Sequence, residues 1–107
     1  MHPRDLTRRT VVTGLGAVTP IGNDVPTFWA NLVAGVSGVG PITQFDASGE
    51  EVRIAAEVKG FEPRDWIDFK QARRMSRFAQ LAVAAARQAI DGSRLEIGDH
   101  NRDDIAV

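Results

Sequence analysis

Cysteine is absent from all 107 residues, which excludes disulfides, thiolate metal sites and a cysteine nucleophile within them. Long apolar runs are missing too. The longest, Leu81 to Ala86, is far shorter than the roughly 20 residues needed to cross a bilayer. Charge of one sign is not in excess: 13 basic residues against 14 acidic give a net charge of -1 and a pI near 6.1. No nucleic-acid footprint spread over the chain is expected, and any electrostatic partner is met locally. Histidine is scarce; His2 and His100 sit in polar stretches near the two ends without ligand spacing, so no metal site is expected. What remains is ordinary globular composition, 43% hydrophobic and 25% charged with 10 glycines and 5 prolines. Arg4, Arg8 and Arg9 ahead of the mildly apolar residues 11–21 imitate a signal peptide. Gly14, Gly16, Pro20 and Gly22 interrupt that stretch, and no small-residue cleavage site closes it. The expectation is a cytoplasmic protein without a membrane span.

Along the chain, residues 1–8 are polar and read as a flexible N-terminus. Thr10 to Thr13 is a β-branched run ending in Gly14-Leu15-Gly16, a strand followed by a turn. Asn23 or Asp24 is placed to cap a helix, with Pro26 in its first turn and Gly35 as its stop. Between them Val25, Phe28, Trp29, Leu32 and Val33 recur at helical spacing, which predicts one buried stripe. Residues 35–50 carry loop chemistry with room for a short strand around Ile42 to Phe45. Val52, Ile54, Ala56 and Val58 alternate with Glu51, Arg53, Ala55, Glu57 and Lys59 as in a half-buried strand, and Pro63 to Asp68 begins a short helical turn.

Ser76 to Asp91 is the most informative segment. At 100° per residue Arg77, Gln80, Arg87, Gln88 and Asp91 fall within an arc of roughly 120°. Phe78, Leu81, Val83, Ile90 and alanines fill the rest. Such a helix is expected to be buried on most of its circumference, and alanine permits close approach to neighbours. Gly92 is the expected stop, and residues 103–107 read as the start of another buried strand. A chain this short has too little material to surround both elements, so their cover is expected downstream or in a second subunit.

The chemical motifs are mostly negative. Gly14-Leu15-Gly16 after a strand invites a dinucleotide loop, but the third glycine would fall on Thr19 and Pro20 stands where a helix should begin. Tight-turn glycines are the simpler reading. Ser37 lacks the closing glycine and the strand-to-helix flanks of a nucleophile elbow and reads as a turn residue. Asp103 and Asp104 are adjacent, so on a strand they face opposite ways. One pattern stands out. Lys70, Arg73, Arg74 and Arg77 are spaced i, i+3, i+4 and i+7, so on a continuous helix the four cations share one face, opposite Ala72, Met75 and Ala79. This is either a solvated face or a docking patch for an acidic partner. If Ser76 caps a new helix, only Lys70, Arg73 and Arg74 need stay together.

Several of these segments together resemble a known family. Arg9-Thr-Val-Val-Thr-Gly-Leu-Gly-Ala-Val-Thr-Pro-Ile-Gly-Asn23, Phe28-Trp29, Leu32-Val33-Ala-Gly-Val-Ser-Gly38, Phe45-Asp46 and Arg73-Arg74-Met75-Ser76-Arg77-Phe78 with its alanine-rich continuation resemble, in order and spacing, the start of the 3-oxoacyl-[acyl-carrier-protein] synthases. The likeness is greatest to the type II branch of bacterial fatty acid synthesis, and polyketide ketosynthases share much of it. The resemblance implies an α/β, thiolase-like fold of five alternating α and β layers. Residues 9–107 would form an incomplete N-terminal part of the ketoacyl synthase N-terminal domain, with the alanine-rich helix in the central layer. It implies an acyltransferase, a homodimer that uses acyl and malonyl carrier protein, with no cofactor, metal, nucleic acid or membrane. The family's cysteine and two histidines have no counterpart among these residues, so no catalytic residue is expected here and the chain alone is expected to be inactive. It further implies that Lys70, Arg73 and Arg74 contact the acidic recognition helix of acyl carrier protein, the same three residues the charge pattern picks out. A polyketide ketosynthase, a non-catalytic chain-length-factor-like relative and a standalone module binding an acidic partner remain as alternatives.

Overall fold

The computed structural model describes residues 7–106. Most of the flexible N-terminus expected over 1–8, including His2, lies outside the described residues, as does Val107. The elements in chain order are α1 (Val25–Val33), β1 (Val39–Pro41), β2 (Ile54–Ala56), a 3₁₀ turn at Pro63–Asp65, α2 (Phe69–Ala72), α3 (Arg77–Ser93) and a second 3₁₀ turn at Arg102–Asp104.

α1 starts where the sequence places it. Asp24 is the N-cap, its Oδ1 accepting from the Thr27 N–H at 2.8 Å; these hydrogen bonds, from Thr27, hold its carboxyl below the usual aspartate range. Gly35, with φ 74°, occupies the left-handed position just past the end. The expected stripe is present but uncovered: Val25 and Phe28 are half-buried, while Trp29 (61% exposed), Leu32 and Val33 face outward. Nothing among the described residues packs against that side.

β1 and β2 form an antiparallel ribbon with Val39 opposite Ala56, Gly40 opposite Ala55 and Pro41 opposite Ile54. The first strand lies earlier than the expected Ile42 to Phe45 because a side chain takes over the ladder. Ile42 N–H still donates to the Arg53 carbonyl at 2.9 Å, but the N–H groups of Thr43 and Gln44 donate to the Glu57 carboxylate at 3.1 and 3.2 Å, and Thr43 Oγ1 donates at 2.9 Å. Desolvation pushes the Glu57 carboxyl up, yet these bonds and the nearby Lys59 charge outweigh it, so Glu57 titrates below the ordinary range. In β2 the phase of burial also differs from expectation: Ala55 is half-buried and Ile54 and Ala56 are exposed. A two-stranded ribbon has no second layer against which to bury an apolar face.

Thr10 to Thr13 forms no strand. Val11 and Val12 are exposed and unladdered, because a strand exists only through a pairing neighbour and the described residues supply none. The segment that follows lies on α3. Gly14 and Gly16 are not turn glycines of positive φ; a Cβ on either would collide with the carbonyl oxygen of Ala89 or Ala85, respectively. Both are there for close approach.

α3 begins after Ser76, whose backbone is extended as an N-cap requires although its hydroxyl makes no capping bond. It passes through Gly92, and Arg94 (φ 58°) takes the left-handed position expected of that glycine. Only Ala84, at 0% exposure, is buried in it. Ala82, Ala86 and Ile90 are exposed, and Phe78 is 78% exposed. The wide apolar arc is therefore largely wet, since the described residues cover only part of its circumference. Where the C-terminal strand was expected, residues 102–104 form a 3₁₀ turn and Ile105 and Ala106 run out exposed.

Among the described residues Ala47, Ile67, Ala72 and Ala84 are the buried apolar side chains, and the radius of gyration is 18.3 Å, against about 13 Å for a compact domain of this length. That shape does not fit a standalone binding module. Polar clasps hold much of the arrangement. Gln88 Oε1 accepts from the Ala17 N–H at 3.0 Å and Gln88 Nε2 donates to the Asn23 carbonyl at 2.6 Å. Lys59 Nζ donates to the carbonyls of Gly38 and Glu57 at 2.8 and 2.9 Å. Gln88→Ala leaves two half-buried backbone groups without partners and is expected to destabilise by about 1–3 kcal/mol, read as a lowered denaturation midpoint of the complete protein.

Candidate functional site

The basic residues are presented by a rigid corner. Ile67 is buried, its N–H donating to the Pro63 carbonyl at 2.9 Å. Asp68 then caps α2, its Oδ2 accepting from the Lys70 N–H at 3.1 Å. Ala72, also buried, turns inward beneath the cations, and its carbonyl accepts from Gln80 Nε2 at 2.9 Å, which ties α2 to α3. The helical conformation persists one residue past α2: Arg73 has φ -62° and ψ -23° and donates its N–H to the Phe69 carbonyl. Positions 70, 73 and 74 thus share a face. Lys70, Arg73 and Arg74 are all exposed and line one surface concavity.

Arg77 does not belong with them. The extended backbone at Ser76 breaks the register, and Arg77 donates to the Val58 carbonyl at 3.2 Å with its guanidinium 6.0 Å from the Phe61 ring. The four-cation face of a continuous helix is therefore a three-cation face. Among the described residues no carboxylate lies within ion-pair distance of Lys70, Arg73 or Arg74; the ion pairs there join Arg64 to Glu62 and Arg102 to Asp99. Neighbouring like charges repel by a few tenths of a kcal/mol per pair, and an acidic surface placed over them relieves that repulsion.

Two aromatic contacts escaped the spacing argument. The guanidinium carbons of Arg64 and Arg73 lie 4.8 and 5.6 Å from the centre of the Phe69 ring. The Arg73 contact was readable as an i, i+4 pair; Arg64 comes from the 3₁₀ turn, whose approach no periodicity encodes.

The other candidate residues lie apart from this corner. A second concavity of about 440 Å³ lies between residues 19–23 and α1, but its Asn31 and Lys59 side chains are committed to backbone carbonyls. Ser37 Oγ accepts from the Val39 N–H at 3.2 Å, a turn contact. Among the described residues no cluster of His, Asp or Glu could hold a metal ion, His100, Asp103 and Asp104 are exposed, and no helix is long and apolar enough to cross a membrane.

Comparison with known proteins matches residues 7–107 to the β-ketoacyl synthase N-terminal domain. The chain is 49% identical over 100 residues to 3-oxoacyl-[acyl-carrier-protein] synthase 2 of Synechocystis sp., covering 94% of this chain and 24% of that protein. It is 48% identical, with the same coverage, to the protein of that name from Staphylococcus aureus strain N315. Among solved structures it is similar to the ishigamide ketosynthase/chain length factor, with a TM-score of 0.74 and 45% identity over 80% of this chain and 21% of that one. The chain thus spans about a quarter of the length of the curated relatives it matches. With a domain match along its whole described length and a shared ketosynthase fold, it belongs to the β-ketoacyl synthase N-terminal domain family.

Proposed function

We propose that these residues, 9–107 in particular, are the N-terminal part of a 3-oxoacyl-[acyl-carrier-protein] synthase of the type II kind, a homodimer of five-layered thiolase-like subunits whose remaining layers cover the exposed faces of α1 and α3. The complete protein moves an acyl group from the thioester of acyl carrier protein to a cysteine thiolate that a helix N-terminus helps to activate, and the carrier thiol leaves. Malonyl carrier protein then loses carbon dioxide. The resulting enolate, stabilised by two histidines, attacks the acyl-enzyme carbonyl, whose oxyanion backbone N–H groups hold. Collapse of the adduct frees the cysteine and yields a 3-oxoacyl carrier two carbons longer. The cysteine and both histidines lie beyond this chain's residues.

The part played here is reception. Lys70, Arg73 and Arg74 dock the acidic face of the carrier protein, and the observation that carries this is their convergence on one turn held by Ile67 and Ala72, exposed and with no carboxylate partner among the described residues. Charge complementarity of this kind serves on-rate and orientation, which suits a partner that binds and leaves twice per turnover.

A second reading is favoured by one observation, the likeness to the ishigamide ketosynthase/chain length factor: a polyketide-type ketosynthase or its non-catalytic partner. Mixing the complete protein with acyl and malonyl carrier proteins and weighing the products decides. An elongated 3-oxoacyl carrier with release of carbon dioxide is expected; a protein that neither takes up the acyl group nor releases carbon dioxide is a chain-length-factor-like relative.

A further inference from the structure

We infer that Phe69 is a stacking platform that holds the Arg73 guanidinium in place and adds Arg64 as a fourth cation to the surface that receives the acidic carrier protein. This deepens the docking reading above and rests on it.

The ring is half exposed at 49%, and both guanidinium carbons, at 4.8 and 5.6 Å from its centre, are inside the roughly 6 Å over which an aromatic quadrupole attracts a cation. The two carbons are therefore no more than 10.4 Å apart, comparable to the Debye length of about 10 Å at 0.1 M salt, so an incoming acidic surface is attracted by both at once. Their backbones are fixed independently. The Arg64 N–H donates to Glu62 Oε1 at 3.1 Å in the 3₁₀ turn, Arg73 continues the turn of α2, and buried Ile67 locks the corner between them.

Glu62 does not cancel Arg64. Its carboxylate comes only to 3.8 Å of Nε, with the two side chains 68% and 56% exposed, a geometry of little energetic worth. A free arginine loses rotamer freedom when it binds a carboxylate. Stacked on Phe69, Arg64 and Arg73 have lost part of that freedom beforehand, so more of the attraction remains as affinity.

The test is carrier-protein binding to the complete protein, measured by calorimetry at low and moderate salt for Phe69→Leu, Phe69→Trp, Arg64→Gln and Arg73→Glu, with a thermal melt of each. Phe69→Leu and Arg64→Gln are each expected to weaken binding about three-fold, Phe69→Trp to restore it, and Arg64→Gln to flatten the salt dependence. The double variant Phe69→Leu/Arg64→Gln should lose less than the product of the single losses, because Arg64 acts through the ring. Arg64 is exposed, so its variant stays informative even if Phe69→Leu lowers the melting temperature. If both bind like wild type while Arg73→Glu is weakened, the platform is wrong and the three-residue docking reading stands. If Phe69→Trp fails to rescue, the ring's role is packing rather than stacking and the inference is overturned. Wild-type binding by Arg73→Glu as well would remove the docking reading itself.

Discussion

Reversing Arg73 and Arg74 together to glutamate in the complete protein is expected to lower kcat/KM for carrier-bound substrates by about 100-fold, while turnover of small acyl-thioester mimics stays within about two-fold. Each exposed guanidinium facing a carboxylate contributes under about 1 kcal/mol; reversal replaces that attraction with a repulsion of similar size, and two such changes approach 3 kcal/mol, or two decades. Lys70→Glu alone should cost about ten-fold, since one reversal carries half the change. Both effects should shrink as salt rises, because these side chains are exposed and screening acts on them fully. The small mimic separates docking from structure: it never meets the corner formed by Phe69–Ala72, so equal loss on both substrates would mean that the arginines hold the fold rather than the partner.

That corner was legible in the sequence because it depends on neighbours close in the chain. The i, i+3, i+4 spacing of Lys70, Arg73 and Arg74 sets a shared face through local helix geometry, and Ser76 announced the break that sends Arg77 elsewhere. The same holds for α1, whose start is fixed by Asp24 and Pro26 and whose end is fixed by Gly35. Strands fared worse for a physical reason. Thr10 to Thr13 and residues 103–107 have β-branched or apolar content, but a strand needs a hydrogen-bonding partner from elsewhere, and the residues described here offer none. The wide apolar arc of α3 was legible as chemistry, and the described residues leave most of it uncovered, because a hydrophobic face states what it requires and not which residues meet the requirement. The Glu57 carboxylate that ends the β1 ladder and the Gln88 clasp were invisible, since each joins segments whose meeting only the fold decides.

Gly16→Val is expected to be among the most damaging single substitutions in this region, costing about 3 kcal/mol or more, and Gly14→Val nearly as much. The two glycines are alternate residues, and alternate residues of an extended backbone lie about 6.6 Å apart on one side. Ala85 and Ala89, whose carbonyls they meet, are four residues apart on α3, a rise of about 6 Å. The repeats match, so the segment lies along the helix with a glycine at each crossing. A side chain at either position collides with backbone, which has no rotamer by which to yield. The segment must therefore lift away, breaking the hydrogen bonds of Gln88 to Ala17 and Asn23 on the same stretch. Gly16→Ala should already destabilise measurably, because the clash begins at Cβ. Denaturant midpoints of the complete protein read the series, which should fall in the order wild type, Gly16→Ala, Gly16→Val. Gly49→Ala in an exposed turn with open space around it serves as the control and should change little. A Gly16→Val protein with an unchanged midpoint would mean that the 14–17 segment does not rest on α3.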